Sequence, residues 1–332
     1  WIKERIGFSS ILAVGHRIVH GMRHTAPEAV SGTLLNELHL IADYDPDHLP
    51  FEIELIEAFL RSNPHLPQIA CFDTAFHRTM PRVARLLPIP RRFDAMGIEK
   101  YGFHGLSYAF LMEELGRIAG PEAAKGRLIL AHLGNGASLA AVRDGRGIDT
   151  TMGFTPAAGL PMGARTGDLD PGVAWHLMKK ENLSPDQFNN LVNHESGLLG
   201  VSETSSDMRD LLALQAEDLR AAEAVELFCY HARKWIGAFS AVLGGVDTLV
   251  FSAGIGENSP EIRARICKGL GFLGIAIDEE RNSRNAPVLS PATGPVCVRV
   301  IRTDEELMIA RTVYRIIEEQ KKTTTAKEPD HE

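Results

Sequence analysis

Three glycine-rich stretches occur in order along the chain, at residues 132–138, 163–168 and 254–258. The first lies between the apolar runs 127–131 and 139–142, which predicts a hairpin tip where backbone N–H groups can approach an anion. The third follows the apolar run 248–251 and precedes a helical pattern at 260–270, which predicts a strand, a glycine turn and a helix N-terminus. Together the three stretches predict a nucleotide site.

Neither of these two stretches has the spacing of a Walker A loop or of a GxGxxG fingerprint. This argues against a P-loop NTPase and against a dinucleotide-binding dehydrogenase. The class that remains is a two-domain phosphotransferase that binds phosphate through hairpin tips.

The composition is that of a soluble enzyme. The chain has 332 residues, 44% of them apolar, which is enough for a sizeable core and favours two domains over one. A net charge of −8 without a long basic run makes nucleic acid an unexpected partner. The four cysteines form no C-x-x-C pair, so we expect reduced and mostly buried thiols. No apolar stretch is long enough for a membrane helix and no signal-peptide pattern opens the chain, so we expect no membrane association and a cytoplasmic location.

Hydrophobic periodicity predicts a mixed α/β chain. The predicted strands are 11–19, 68–72, 128–132, 139–142, 249–252 and 296–301. The predicted helices are 50–61, 107–120, 172–180, 184–195, 221–242 and 260–270. Residues 320–332 are polar and rich in threonine and lysine, and we expect a frayed or disordered tail there.

Arg17 lies at the end of a predicted strand between Gly15 and Gly21. A lone arginine is more often a surface ion-pair residue, but the flanking glycines favour an anion site at the strand end. His16, His20 and His24 recur every four residues, which would indicate a metal site on a helix. The segment is predicted to be extended, so we do not expect zinc there.

Three further polar residues have both a structural and a functional interpretation. Asp73 follows a buried-looking strand and is either a helix N-cap or a functional carboxylate at the strand's end. His104 lies between Gly102 and Gly105, where it is either a buried histidine with satisfied hydrogen bonds or a ligand contact. Arg165 is either an ion-pair residue or a cation that stabilises a transferring phosphoryl group.

Eight ordered motifs resemble the acetate/propionate kinase family, which belongs to the superfamily of sugar kinases, Hsp70 and actin. The motifs are residues 15–21, 72–81, 101–105, 132–138, 152–170, 205–211, 254–259 and 303–310. The resemblance implies reversible phosphoryl transfer from ATP, with Mg²⁺ or Mn²⁺, to acetate, giving acetyl phosphate and ADP. Propionate is the alternative acceptor. It also implies two α/β domains of the actin-like, sugar kinase and Hsp70 type, with ribonuclease H-like folds and an active site in the cleft between them, and a homodimer formed through the second domain.

The resemblance assigns site residues by position. Arg17 and Arg165 match residues that bind the carboxylate and the transition-state phosphoryl charge, and His104 matches a residue that also contacts this group. Asp73 matches an essential aspartate, which we expect to orient Arg17 or hydrated Mg²⁺ because acetate needs little general-base help near neutral pH. Glu305 matches an acid that holds the metal, through water. The implied nucleotide contacts are His132, Leu133, Gly134, Asn135, Gly136, Asp207, Met208, Arg209, Gly254, Ile255, Gly256, Glu257 and Asn258.

Val19, Phe103 and Pro156 match residues that line a small acyl pocket, and their apolar side chains suit a methyl or ethyl group. One departure bears on substrate size. The family usually reads Ala-Pro-Leu-His-Asn-Pro where this chain has residues 42–46, so Tyr44 takes the place of a pocket leucine. Tyr44 would narrow the pocket toward acetate if its ring turned inward and would widen it if the ring turned outward.

Chain order predicts the domain boundaries. Residues 1–75 with 306–320 are expected to form a first domain, 76–305 a second domain that carries the nucleotide site, and 321–332 the tail. The chain opens at Trp1, in what would be a helix about 70 residues into a family member, so we expect that an N-terminal segment with a phosphate-binding hairpin is absent and the first domain is incomplete. The alternative to an active kinase is therefore a nucleotide-binding fragment without catalytic activity.

Overall fold

The computed structural model describes residues 10–325. Contacts within the chain divide it into two compact units. Of the described residues, unit 1 comprises 10–78, 105–110 and 304–325, and unit 2 comprises 79–104 and 111–303. The helix Gly105–Ala119 begins in unit 1 and ends in unit 2.

Unit 1 contains a three-stranded sheet whose central strand is fully buried. Strand β3, Gln68–Phe72, is buried at all five positions. It pairs in parallel with β1, Val14–Ile18, and antiparallel with the short β2, Glu28–Ala29. The register places Arg17 opposite Cys71, so the ends of β1 and β3 lie side by side. Among the described residues, the α-helices that lie entirely in unit 1 are Gly32–Leu40, Leu49–Ser62 and Glu305–Thr325.

Unit 2 contains a five-stranded mixed sheet in the order β6-β5-β4-β7-β8. Strands β4, β5 and β6 are antiparallel neighbours, whereas β7 and β8 run parallel to β4. The strands are β4 Arg127–Leu133, β5 Ala137–Arg143, β6 Arg146–Thr150, β7 Thr248–Ser252 and β8 Cys297–Val300. The helices are Arg82–Arg85, Arg91–Ala95, Pro171–Lys180, Pro185–His194, Gly197–Ser202, Met208–Leu214, Leu219–Leu243, Ala253–Asn258, Pro260–Cys267 and Glu279–Ser283.

The predicted strands and helices are all present, with ends shifted by a few residues. The pattern missed β2, which has two residues, and β6, whose sequence Arg-Gly-Ile-Asp-Thr has too few apolar residues for a strand signal. Among the helices it missed Gly32–Leu40 and Met208–Leu214. The last helix continues to Thr325, five residues into the expected tail. The rest of that predicted tail, 326–332, lies outside the described residues.

The thiols follow the prediction. Cys71, Cys229 and Cys267 are buried, Cys297 is half-buried, and all four are free. Among residues 10–325, no helix is long and apolar enough to cross a membrane.

Gly105 allows the N-terminus of its helix to approach the backbone after β3. Its N–H donates to the Asp73 carbonyl over 2.9 Å, and a Cβ at this position would overlap that carbonyl. Gly105→Ala is therefore expected to lower the free energy of unfolding by about 1–3 kcal/mol, as overpacking does elsewhere. Urea denaturation measures this change. Gly116→Ala on the same helix is the control, because its Cβ would meet only Ala124 at 3.8 Å; equal effects of the two substitutions would contradict the prediction.

Candidate active site

One cavity in unit 2 brings three of the predicted nucleotide segments together. It has a volume of about 720 Å³ and is lined by the β4–β5 hairpin, by the start of the helix Met208–Leu214 and by the helix Ala253–Asn258. The lining residues are Gly134, Asn135, Ser206, Asp207, Met208, Arg209, Leu212, Gly254, Ile255, Asn258 and Ser259. Segments separated by more than a hundred residues thus form one concave surface of a size that suits a nucleotide.

The hairpin tip is held in place by backbone contacts. The Gly134 N–H donates to the Gly136 carbonyl over 3.0 Å, which closes the turn predicted from the first glycine stretch. The Asn135 carbonyl accepts from the Gly163 N–H over 3.0 Å, which ties the first glycine stretch to the second. His132 and Leu133, which were predicted to contact nucleotide, are buried on β4 and are not among the residues that line the cavity.

The third glycine stretch was predicted to be a turn before a helix, and this is wrong. Residues 253–258 are themselves a helix that begins directly after β7, with Ala253 in the left-handed region at φ 63°. The Glu257 carboxylate makes this possible, because its Oε1 accepts from the Ala253 N–H over 2.8 Å and from the Thr303 N–H over 3.0 Å. Gly254, Ile255 and Asn258 line the cavity, whereas Gly256 and Glu257 do not.

Asp207 and Arg209 form an ion pair at the cavity rim. Asp207 caps the helix Met208–Leu214 by accepting from the Arg209 N–H, and its carboxylate also bonds the Arg209 guanidinium at 2.6 Å. These hydrogen bonds lower the pKa of Asp207 to about 2. The Arg209 side chain is 88% exposed, so its cation faces solvent beside the cavity.

A second group of predicted residues meets at Gly136. His104 Nε2 and Arg165 Nη1 lie 3.3 and 3.9 Å from the point where a Cβ on Gly136 would stand. His104 adopts a left-handed backbone conformation at φ 58°, and its Nδ1 lies 2.8 Å from Ser138 Oγ. Its ring stacks on His132 at a centroid distance of 4.1 Å. The hydroxyl of Ser138 thereby fixes the ring so that Nε2 faces the hairpin tip.

In unit 1, three carboxylates surround one guanidinium. Arg17 Nη2 donates to Asp73 Oδ2 over 2.5 Å, and Arg17 Nε lies 3.9 Å from Glu305 Oε2. Asp73 raises the pKa of Arg17. Burial, followed by the charge of Asp73, raises the pKa of Glu305 to about 7. The expected contact between Asp73 and Arg17 is therefore present. Asp73 directly follows β3 and its carboxylate bonds a side chain, so its geometry is that of a strand-end carboxylate and not of a helix N-cap.

The third carboxylate is Glu52, which sequence reasoning missed. It lies in the first turn of the helix Leu49–Ser62, and its Oε2 accepts from the Val19 N–H over 3.0 Å. Burial raises the pKa of Glu52 to about 7, while the Val19 N–H and the Arg17 charge oppose the shift. An acid at a helix N-terminus is too common a pattern to single out Glu52 from sequence.

The residues of the predicted acyl pocket are all buried in their own units. Val19 is 2% exposed in unit 1, and Phe103 is 1% exposed in unit 2, where Pro156 is also buried. The Pro156 carbonyl accepts from Arg165 Nη1 over 3.5 Å. Tyr44 is half-buried and packs edge-on against the buried ring of His20 at a centroid distance of 5.9 Å.

The regular spacing of His16 and His24 does not give them a shared partner. His16 Nε2 lies 2.6 Å from Gln68 Oε1, and His24 Nε2 lies 2.9 Å from Glu37 Oε2.

The raised pKa of Glu52 predicts a pH-dependent stability. Between its ordinary pKa of 4.5 and about 7, the folded state binds more protons than the unfolded state. The free energy of unfolding therefore falls as pH rises through this window. Glu52→Gln, which keeps an acceptor for Val19, should exceed the wild type in stability by about 1–2 kcal/mol near pH 8 and by much less near pH 5.

Urea denaturation at the two pH values measures the difference. Glu54→Gln, on the exposed side of the same helix, serves as the control and should show no such change. A Glu52→Gln variant whose stability relative to the wild type is the same at both pH values would contradict this prediction.

Comparison with known proteins places these features in a family. A family model described as the acetokinase family matches residues 3–311. The acetate kinase of Methylocella silvestris is 44% identical over 320 residues, which cover 96% of this chain and 78% of that protein. The crystal structure of Porphyromonas gingivalis acetate kinase superposes with a TM-score of 0.89 at 36% identity, covering 95% of this chain and 82% of that one. A propionate kinase from Francisella tularensis gives a TM-score of 0.89 at 37% identity over 94% and 81% of the chains. The chain therefore has the mixed α/β fold of these acetate and propionate kinase structures. It belongs to the acetokinase family.

Proposed function

We propose that this protein is an acetate kinase, which transfers the terminal phosphoryl group of ATP to acetate reversibly and gives acetyl phosphate and ADP. The observation that carries the proposal is the convergence of His104 and Arg165 on Gly136, next to Gly134 and Asn135 of the nucleotide cavity. A phosphate at a glycine hairpin with a guanidinium and an imidazole beside it has the charge stabilisation that phosphoryl transfer requires.

In this proposal unit 2 binds the nucleotide. The adenosine occupies the cavity between the helix Ala253–Asn258 and residues 206–209, where Ile255 and Met208 provide apolar surface. The phosphates follow the hairpin tip at Gly134, Asn135 and Gly136. Arg165 and the Nε2 atom of His104 then stabilise the negative charge on the transferring group.

Unit 1 binds the carboxylate through Arg17. Its guanidinium is held by Asp73 at 2.5 Å, which fixes its direction before the substrate binds. Acetate is already ionised near neutral pH, so Asp73 has no proton to remove from it. Within unit 1, the buried Val19 offers the methyl group apolar surface.

Asp73 and Glu305 fit a magnesium site. Asp73 Oδ1 is buried and has no hydrogen-bond partner within residues 10–325, and Glu305 lies near enough for Asp73 to raise its pKa. Hard divalent cations prefer one or two carboxylates together with water and phosphate oxygens. Bound Mg²⁺ would neutralise phosphate charge, and Asp73 and Glu305 would hold it directly or through water.

A homodimer and a cytoplasmic location are part of the same proposal. Exposed apolar side chains of unit 2, among them Trp175, Tyr230 and Val242, provide surface for a second copy. Sedimentation of the purified protein at twice the mass of one chain would support the dimer. A cytoplasmic enzyme would have access to ATP.

The test is acyl phosphate formation from ATP and Mg²⁺, trapped with hydroxylamine, with acetate, propionate and butyrate as acceptors. Acetate as the best acceptor supports the proposal. Preference for propionate would identify the chain as a propionate kinase instead. This alternative is considered because the chain is also similar to the propionate kinase of Francisella tularensis. ATP binding without transfer to any acid would identify a nucleotide-binding protein without catalytic activity.

A further inference from the structure

The helix Ala253–Asn258 forms one wall of the nucleotide cavity but is too short to hold its own position. It has six residues, and Gly254, Ile255 and Asn258 line the cavity. A helix of this length has few internal hydrogen bonds, so its orientation depends on the groups that bond to its two ends. Glu257 holds the start of the helix through the Ala253 N–H. The carbonyls at the other end require a separate partner.

Arg263 is that partner, and it reaches the helix from the interior of unit 2. Its side chain is fully buried. Its Nη1 donates to the Gly256 carbonyl over 2.8 Å and to the Glu257 carbonyl over 3.0 Å. Both carbonyls lie in the last turn of the helix, where a positive charge is favourable. Arg263 is not among the residues that line the cavity, so it can act on a bound nucleotide only through this helix.

The rest of the guanidinium is bonded to a second helix, Glu279–Ser283, and to the residues after it. Nε donates to Asn282 Oδ1 over 2.9 Å, and Nη2 donates to the Asn282 carbonyl over 3.1 Å and to Asn285 Oδ1 over 2.5 Å. Asn282 is itself fixed, because its Nδ2 donates to the Pro260 carbonyl over 2.7 Å. Arg263 therefore joins the wall of the cavity to a helix that does not line it.

This cation is buried without an opposite charge. Within residues 10–325, the oxygens that accept its hydrogen bonds are those of backbone carbonyls and side-chain amides, and none is a carboxylate oxygen. Burial lowers the pKa of Arg263 to about 10, so the side chain is still positively charged near neutral pH. A buried cation is costly, and an apolar side chain of similar size would fill the same space at a lower cost. Stability alone therefore does not explain an arginine at this position, whereas its contacts with the helix do.

We propose that Arg263 is a positioning residue for nucleotide binding, which holds the helix Ala253–Asn258 in the orientation that lets Gly254 and Ile255 contact the nucleotide. This inference rests on the proposed function in one respect, since it takes the cavity of unit 2 as the ATP site. Without Arg263 the helix would have this orientation for only part of the time, and the apparent affinity for ATP and ADP would fall by that fraction. Saturating nucleotide would restore the orientation, so kcat would change little.

The experiment measures the KM for ATP, the kcat and the Kd for ADP with Mg²⁺ in the wild type and in Arg263→Lys. Lysine keeps the charge, but its single nitrogen cannot join both helices as the planar guanidinium does. We expect the KM for ATP and the Kd for ADP to rise about 10-fold, with kcat at saturating ATP within about 3-fold of the wild type. The KM for acetate should not change. Arg284→Lys is the control, because the Arg284 side chain is 75% exposed and should be replaceable without effect.

Asn285→Gly is a milder second variant. It removes one acceptor of Arg263, and glycine tolerates the left-handed backbone of this exposed residue at φ 51°. We expect the KM for ATP to rise about 3-fold. If Arg263→Lys does not fold, an unchanged KM for ATP in Asn285→Gly would overturn the inference.

The split between KM and kcat separates positioning from a purely structural role. A folded Arg263→Lys variant with the wild-type KM for ATP and the wild-type Kd for ADP would overturn the inference. A fall in kcat with an unchanged KM for ATP would also overturn it, because a structural defect lowers the amount of active enzyme without changing its affinity. A wild type that binds ADP but transfers phosphate to no acid would overturn the proposed function, and the Kd for ADP would still decide the inference.

Discussion

Arg165→Ala is expected to lower kcat for acetyl phosphate formation by at least ~10²-fold, the scale of losing one charge contact with a transition state. Arg165 Nη1 lies beside Gly136 at the hairpin tip, where the transferring phosphoryl group is proposed to lie. The effect belongs in kcat because the charge to be stabilised develops during transfer. The KM for ATP should change little, since the cavity is lined by other residues.

Two further variants make this result interpretable. Arg165→Lys keeps a positive charge without the planar fork of a guanidinium and should recover only part of the lost rate. Arg143→Ala removes an exposed arginine at the end of β5 and should leave kcat near the wild-type value. Melting temperatures of all variants establish that they are folded. A normal kcat for a folded Arg165→Ala variant would remove Arg165 from the mechanism.

Asp73→Asn is the second large effect, and we expect kcat to fall by ~10²-fold or more because Arg17 loses its orienting partner. Asp73 is fully buried and bonds Arg17 at 2.5 Å, so the amide would keep the volume while removing the charge. The concentration of Mg²⁺ needed for half-maximal rate should also rise, since Oδ1 is one of the proposed metal-facing oxygens.

The stability of this variant distinguishes a functional role from a structural one. Removing one partner of a buried ion pair is usually costly. In the Asp73→Asn variant, Glu305 and Glu52 remain near Arg17. In the wild type, the negative charge of Asp73 raises the pKa of both carboxyl groups. The substitution also relieves repulsion, so we expect the free energy of unfolding to change by only about 1–2 kcal/mol. A variant that is active at the wild-type rate, or one that fails to fold, would contradict this account of Asp73.

Much of the fold was predictable because its signals are local. The run Gln68–Phe72 is apolar enough to be central in its sheet, and it is buried at every position. The glycines between two apolar runs indicated the β4–β5 hairpin, and the structure has it. The helix Ala253–Asn258 was mistaken for a turn because its start depends on Glu257, whose carboxylate supplies the contact that the sequence pattern does not reveal.

In the candidate site, too, the residue types could be predicted from local sequence but their contacts could not. The flanking glycines favoured an anion site at Arg17, whereas Asp73, His104 and Arg165 each kept a structural alternative until the family resemblance assigned their roles. Their partners were not predictable. Ser138 meets His104 from 34 residues away, and Glu52 meets Val19 from 33 residues away.

The sequence by itself determined the strands, the main helices, the hairpin and the residue types available for phosphoryl transfer. Only the tertiary structure decided that Asp73 bonds Arg17, that Glu52 reaches the residue after β1, and that Tyr44 packs on His20. The physical reason is that backbone preference and hydrophobic periodicity act over a few residues. Contacts between side chains depend instead on strand register and helix packing, which pair residues more than 30 positions apart.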